Sequence, residues 1–383
     1  GTEDNWSFGY NMADPKVAAL KPEELLSTHN GRREQAAVTP AQHPVTMGGT
    51  EPIGVGKSWS RASGEPQLDE HDLPVPTYVP WLGKTVEHPE HYGIYFQERW
   101  DEALACDPEF LYINDWNEWT AGKYQPGGEG KTVSWLRRQS PFFFVDQYNA
   151  EFNRCIHPVK GGYTDNYYMQ MAQNLRRYKG ARPIPRLEGY AEAKADGDFG
   201  EWDAVTTEYR DTRGDVFHRD AKGYAGLHYV DTSGRNDILT AKVAVGRRTI
   251  GFYAETADAL TPSDGNNWML LLIDADNDSS TGWYGYDFVI NKKVKDGRTT
   301  TLMRYDSDSE QWIEAAELPY RYEGNRLEVI VPRKLLGLTG DGFTFDFKWS
   351  DNAYELEDPI SLCLHGDTAP NRRFNYRCIW NRR

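Results

Sequence analysis

The sequence is poor in positive charge and contains no long hydrophobic run. Its 43 Lys and Arg stand against 58 Asp and Glu, which gives a net charge of −15. Proteins that bind nucleic acid depend on clustered cations, so this balance argues against a nucleic-acid partner. The longest apolar runs, at 268–273 and 142–145, fall far short of the roughly 20 residues that a membrane-spanning helix needs. We therefore expect no nucleic acid and no membrane span.

Cysteine is also scarce, and its four positions include no Cys-x-x-Cys pair. Cys363 and Cys378 flank a turn-rich segment and could form a disulfide, whereas the alternative is four small buried side chains. No positively charged leader opens the chain, and Gly1 is not an initiator Met. We expect a processed end, a cloning scar or a fragment end.

Aromatic residues, in contrast, make up 13% of the chain and include 13 Trp and 23 Tyr. Flat, partly polar rings pack well against the C–H faces of sugars, and they also form ordinary aromatic cores. The composition therefore favours a polysaccharide or oligosaccharide partner, although the same rings could instead belong to the protein core.

Composition and periodicity change near residues 180–197. Before this point, apolar spacing predicts helices at 92–106 and 164–179 and short strands at 35–40 and 110–114. Such alternation is typical of βαβ units and a parallel sheet. We therefore predict a multidomain protein whose residues 1–182 form part of an α/β, (β/α)8-type barrel. Because a complete barrel takes about 250 residues, it would be incomplete at the N-terminus.

The second part of the chain reads as all-β. Residues 183–189 contain Pro183 and Pro185, which cannot both sit in a regular helix, and they are predicted to be a linker. After it come seven or so strand patterns, separated by short turns rich in Gly and Asp. Residues 190–383 are therefore predicted to form a β-sandwich.

The strongest local signal is the sequence Asn-Asp-Trp-Asn-Glu-Trp at 114–119, which follows an apolar strand. Carboxylates at the C-terminal end of a parallel strand point into the cleft where such folds do chemistry. Glycoside hydrolysis needs two carboxylates, and Glu118 and Asp115 are candidates. The expected substrate contacts here are Trp116, Asn117 and Trp119, with Gln42 and His43 after the strand at 35–40. The alternative is a solvated loop whose indoles plug the barrel mouth.

This segment resembles the strand-end Asn-Glu-Trp motif of glycoside hydrolase families 71 and 99. Residues 95–101, 144–149, 165–168 and 176–180 resemble the same group, so the likeness covers roughly 35–180. In family 99, two glutamates three residues apart catalyse hydrolysis, and the first corresponds to Glu118. The second position holds Ala121, which cannot transfer a proton. The resemblance therefore implies a sugar-facing Glu118 with a second acid from elsewhere: Asp115, Glu98 or Asp146. For Glu98, which lies in a helix, a structural role is the alternative.

A second acidic signal lies in the β-rich half. Asp274, Asp276 and Asp278 alternate in a turn and are followed by Asp287. Alternate carboxylates can converge on one hard cation, so we expect a structural calcium here, with an empty acidic turn as the alternative. The pattern is not an EF-hand, because Ser279 replaces the required glycine and Gly285 the required glutamate.

The same half resembles family-9-like carbohydrate-binding modules. The resemblance rests on residues 195–203, 272–276, 281–287, 345–352 and 366–370. It implies a β-sandwich that binds sugar between aromatic rings and holds structural calcium. Trp283 and Trp349 would be the sugar-binding indoles, or else core residues.

Together these signals predict a secreted or periplasmic, glycan-active protein, a glycoside hydrolase using Glu118. The alternative is a non-catalytic glycan-binding protein with a degenerate barrel. Besides a glycan, the expected partner is the missing N-terminal part of its own barrel.

Overall fold

The computed structural model describes residues 1–41 except 11 and 13, 75–117, 123–124, 132–133, 138–139, 143–144, 155–216, 218–222, 228–263, 267–353, 356 and 358–382. It divides into two compact units, Gly1–Ala181 and Arg182–Arg383. No helix among these residues is long and apolar enough to cross a membrane. All four cysteines are described and none is disulfide-bonded, so the predicted bridge between Cys363 and Cys378 is not formed.

The first unit contains short helices and strands. Its helices are α1 (Pro15–Ala18), α2 (Pro22–Leu25), α3 (Ile94–Cys106) and α4 (Asn166–Lys179), with a 3-10 turn at Pro89–His91. Its strands are β1 (Ser27–His29), β2 (Arg32–Val38), β3 (Thr77–Val79), β4 (Lys84–Val86), β5 (Phe110–Ile113), β6 (Lys123–Tyr124), β7 (Thr132–Val133), β8 (Arg138–Gln139) and β9 (Phe143–Phe144).

One βαβ unit organises this part of the molecule. Strand β2 pairs in parallel with β5, from Gln35 opposite Phe110 to Val38 opposite Ile113, and β1 adds an antiparallel edge. Helix α3 packs on β2 and on α4. Its apolar residues recur every three or four positions, so Phe96 and Trp100 lie in the core. The helices and strands predicted for 35–40, 92–106, 110–114 and 164–179 are confirmed, with shifted ends.

The (β/α)8 barrel prediction is wrong. Within the described residues, β2 and β5 form the only parallel strand pair of the first unit, and the other pairs are antiparallel. The next long helix, α4, packs against α3 instead of leading into a further parallel strand. The rings of Phe96 and Tyr167 stack there with centroids 5.9 Å apart. A single βαβ unit and one extra helix produced the alternation in the sequence. The expectation of a missing N-terminal barrel part is withdrawn with the barrel.

The second unit is built of strands. They are β10 (Arg186–Glu188), β11 (Tyr209–Arg210), β12 (Arg219–Lys222), β13 (His228–Asp231), β14 (Ile238–Val245), β15 (Thr249–Thr256), β16 (Leu270–Asp274), β17 (Phe288–Val294), β18 (Thr299–Asp306), β19 (Gln311–Glu323), β20 (Arg326–Pro332), β21 (Gly342–Asp351), β22 (Asp367–Ala369) and β23 (Tyr376–Asn381). Helix α5 (Ser361–Leu364) and 3-10 turns at Phe199–Ala204 and Arg333–Leu336 complete it.

Twelve of these strands form one curled sheet of β-sandwich-like shape, whereas β12 and β13 form a separate antiparallel pair. The order is β10-β23-β21-β16-β17-β18-β19-β20-β15-β14-β11, with β22 beside β21. The long strand β19 joins the layers, because its first part pairs with β18 and its last four residues pair with β20. The core between the layers combines side chains of both, such as Phe252 and Val329 with Leu271 and Phe347. The predicted β-sandwich is thus confirmed. Strand β10 lies within the stretch at 183–189 and pairs with β23.

Candidate functional site

The end of β5 separates a buried acid from an exposed indole. The Asn114 backbone N–H donates to the Val38 carbonyl at 2.9 Å, so the strand is held as far as this residue. Asp115 then adopts a left-handed conformation (φ 66°) that turns the chain. Its side chain is only 5% exposed, whereas Trp116 is 49% exposed. The turn therefore presents an aromatic ring at the strand end and keeps the neighbouring carboxylate inside.

Two side chains of the first unit pack around Trp116. Tyr168 of α4 meets the indole edge-on, with ring centroids 6.0 Å apart. Nδ1 of His157 lies 3.3 Å from the Trp116 carbonyl oxygen, and burial lowers the pKa of His157. Asn117 is exposed. The strand end thus offers an aromatic pair next to an imidazole whose pKa is lowered by burial.

The other residues predicted for this site are either not described or lie elsewhere. Glu118, Trp119, Gln42 and His43 lie outside the described residues. Glu98 lies in α3, where its Oε2 is 3.4 Å from Nη2 of Arg99. Arg99 is buried and also binds Glu102 at 2.8 Å. Glu98 is therefore part of a charge network on its helix, and a catalytic role for it stays a prediction.

In the second unit, three of the four predicted metal ligands converge. Carboxylate oxygens of Asp274, Asp276 and Asp287 lie within 4.8 Å of one another. Burial, and next the charge of Asp346, raise the pKa of Asp274 to about 7. Burial also raises the pKa of Asp287. Oxygen donors that repel one another at this range are suited to a hard cation such as calcium.

Asp278 is not part of this cluster. Its Oδ1 accepts hydrogen bonds from Ser280, from the backbone N–H at 2.9 Å and from the hydroxyl at 2.5 Å. These bonds form the tight turn that follows Asp276. We therefore assign Asp278 to shaping the turn.

A second acidic cluster was missed by the sequence analysis. Asp211, Asp215 and Asp367 also bring carboxylate oxygens within 4.8 Å of one another. Burial first, and then mutual repulsion, raise the pKa of Asp211 to about 7 and that of Asp367 to about 8. Asp367 lies in β22, far along the chain from the other two. No spacing rule connects such distant positions, so the sequence carried no signal for this cluster.

The two indoles predicted to contact sugar are buried. Trp283 is 4% exposed and Trp349 is fully buried, which is the core role that the sequence also allowed. Trp349 belongs to the core between the layers. Trp283 packs on the outer side of the sheet with Leu272 and Val289. Neither indole has a free face for a ligand.

Aromatic rings that do reach solvent lie around Trp283. Tyr284 is 40% exposed and meets Trp283 edge-on at 5.4 Å. On another side Trp283 contacts Trp312 at 6.3 Å, and Trp312 contacts Tyr305 at 5.2 Å. Trp312 and Tyr305 are partly exposed. We call Tyr284, Trp312 and Tyr305 the aromatic surface; it adjoins the acidic turn, since Tyr284 lies between Asp276 and Asp287 in the chain.

Comparison with known proteins adds little to this geometry. No protein-family model and no curated protein matches the chain. Among solved structures, it is similar to a family 9 carbohydrate-binding module from Caldicellulosiruptor kristjanssonii in complex with cellotriose, with 11% identity and a TM-score of 0.27. The match covers 52% of this chain and 95% of the module. At this TM-score the likeness carries no argument. Nothing in the comparisons supports the resemblance to glycoside hydrolase families 71 and 99.

Proposed function

We propose that this protein is a glycan-binding protein and that the aromatic surface of its second unit contacts the sugar. The observation that carries the proposal is the exposed ring of Tyr284, supported from below by the buried Trp283. Sugar rings present C–H faces that pack on flat aromatic rings, and their hydroxyls need polar partners nearby. A secreted or periplasmic location is part of this proposal, since structural polysaccharides are found outside the cytoplasm.

Polar groups next to Tyr284 support this assignment. The Arg373 guanidinium carbon lies 5.7 Å from the centroid of the Tyr284 ring, and Nη1 donates to the Tyr284 carbonyl at 3.3 Å. Asn375 accepts a hydrogen bond from the Tyr286 hydroxyl at 2.6 Å. The ring is thus held from below and from the side while one part of it remains in solvent.

Isothermal titration calorimetry against a panel of soluble oligosaccharides tests the proposal. We expect Tyr284→Ala to weaken binding of the recognised sugar at least about tenfold, because a stacked aromatic ring is typical of binding hot spots. The matched control is Tyr190→Ala. Tyr190 is similarly exposed but packs on Trp380, and its loss should leave the affinity unchanged. Equal affinities of the wild type and Tyr284→Ala would refute this site.

A structural calcium bound by Asp274, Asp276 and Asp287 belongs to the same proposal. The donor set consists of carboxylate oxygens, which calcium prefers, and the turn that they share carries Tyr284. In this role the ion would stabilise the segment between β16 and β17 without contacting sugar.

Glycoside hydrolysis by Glu118 is the second candidate function. It is favoured by the end of β5, where Trp116 packs against Tyr168 and precedes Glu118 by two residues in the sequence. Asp115 or another acid would have to complete the carboxylate pair. Release of reducing ends from a bound glycan, absent in Glu118→Gln, would establish this activity. Binding without new reducing ends would leave the glycan-binding function alone.

A further inference from the structure

Lys348 of β21 is a fully buried cation in the second unit. Its side chain is 0% exposed, and an ammonium group in the interior is costly unless hydrogen bonds replace its water. Nζ donates to the carbonyls of Pro370 at 2.7 Å and Phe374 at 3.2 Å, and also to that of Arg372. These three acceptors match the three donors of an ammonium group.

All three carbonyls belong to one connection, the segment 370–375 between β22 and β23. They come from alternate residues, so this stretch is wrapped around the ammonium group. A neutral side chain of the same length could not hold three carbonyls at one point. The path of the segment is therefore set by Lys348.

The intervening residues of the segment reach two other parts of the unit. Asn371 donates to Asp215 at 2.5 Å. Arg373 donates to the Tyr284 carbonyl, and Asn375 accepts from the Tyr286 hydroxyl. The segment therefore touches the Asp211, Asp215 and Asp367 cluster and also holds the turn that carries Tyr284.

We propose that Lys348 is a positioning residue for the aromatic surface. It acts through the segment 370–375, whose Arg373 and Asn375 hold Tyr284 and Tyr286 in place. This inference rests on the proposed glycan-binding function for its affinity readout, although its structural part can be measured separately.

The test compares Lys348→Met with Arg333→Met in the entire 383-residue chain. Methionine keeps the length of the stem and removes every donor. Arg333 is also buried and also donates to loop carbonyls, those of Leu338 at 2.8 Å and Gly340. Both variants should lose stability. Only Lys348→Met should weaken sugar binding, by about tenfold, which corresponds to about 1.4 kcal/mol. Equal effects of the two variants on affinity would overturn the proposal.

A double-mutant cycle with Arg373→Ala tests whether Lys348 acts on sugar binding through Arg373. If Lys348 acts through Arg373, the two substitutions should together cost clearly less binding than the sum of their separate effects. Additive effects would contradict the proposed route. Should Lys348→Met fail to fold, the pair Arg373→Ala and Asn375→Ala, which leaves the ammonium site intact, must show the same loss of affinity.

Hydrogen exchange at residues 283–286 separates this inference from the glycan proposal. Positioning predicts faster exchange there in Lys348→Met than in Arg333→Met, with or without ligand. If the wild type binds no sugar and exchange still rises selectively, the glycan function fails and the positioning role stands. Unchanged exchange at 283–286 would refute the positioning role directly.

Discussion

Glu328 is a carboxylate buried on β20, and its partners explain how the second unit tolerates it. Nε1 of Trp202 donates to Oε2 at 2.9 Å, and the Gly197 backbone N–H donates to Oε1 at 3.0 Å. These bonds favour the ionised form, yet burial has the larger effect and raises the pKa of Glu328. The folded protein therefore holds this proton more tightly than the unfolded chain does.

Because the pKa of Glu328 differs between the folded and unfolded states, this one residue makes the free energy of unfolding depend on pH. Because the pKa is raised on folding, the folded state is favoured below about pH 4.3, the unfolded value, and that contribution is lost as pH rises through the raised pKa. We expect Glu328→Gln to lower stability by roughly 1–2 kcal/mol, since one N–H loses its acceptor, and to flatten the fall in melting temperature between pH 4 and 8. The exposed Glu323→Gln is the control. Identical pH slopes for both variants would contradict this account.

Residue-scale features also mark the limit of what the sequence could predict. The Asp274 turn was found because its acids alternate over a few positions. Asp367 meets Asp211 only after the whole sheet has curled, so no local pattern contained that contact. Trp283 and Trp349 were visible as indoles, but whether an indole faces solvent depends on the loops packed over it, which the residue type does not reveal.

At the scale of elements, Gly93 fixes the start of α3 against α4. It has a φ of 58°, which disfavours any residue with a Cβ. A Cβ built here would lie 2.4 Å from Oε1 of Gln170 and 3.0 Å from Cε1 of Tyr167. Gln170 cannot simply move aside, because its Nε2 donates to the Gly93 carbonyl at 2.9 Å.

We therefore expect Gly93→Ala to destabilise the protein by about 2–3 kcal/mol, combining backbone strain with displaced packing. Gly180→Ala is the matched control: its φ is 80° and a Cβ would meet nothing within 4 Å. Gly180→Ala should lower the free energy of unfolding by only about 1 kcal/mol, because it adds backbone strain without displacing any neighbour. Urea denaturation measures both changes. Equal losses would show that α3 and α4 do not pack closely at this point.

The elements themselves were predictable where their signal is local. The helix at 92–106 was recognised from apolar residues on one face, and it begins at Ile94 because Gly93 cannot continue it in a helical conformation. The strand at 110–114 was recognised from its apolar run. The partner of each element was not predictable, since strand pairing and helix docking depend on residues distant in the chain.

At the scale of the whole molecule, the two predictions of architecture had different outcomes for a physical reason. A β-sandwich is built from strands that follow one another at short spacing, and nearly every strand of the second unit carries that pattern. A (β/α)8 barrel requires the same unit repeated eight times, and one repeat looks locally identical to the first of eight. Local alternation therefore identifies a βαβ unit and says nothing about how many follow.

An ion bound by the Asp274 turn would stabilise the folded molecule. An ion that binds only the folded state stabilises it by about 2.7 kcal/mol at a concentration one hundred times its Kd. For a unit of this size that raises the melting temperature by roughly 5–10 °C. We expect calcium to raise it and a chelator to reverse the rise.

Three variants assign this effect to a site. Asp276→Asn should abolish most of the rise in melting temperature that calcium causes. Asp211→Asn should leave that rise unchanged, and Asp308→Asn, at an exposed position, should behave like the wild type. The shift should also be larger at pH 8 than at pH 6, because protons compete for Asp274, whose pKa is raised to about 7. If Asp211→Asn and not Asp276→Asn removes the shift, the ion binds the cluster that the sequence did not reveal. If calcium stabilises none of the four proteins, the carboxylates of the Asp274 turn bind no calcium.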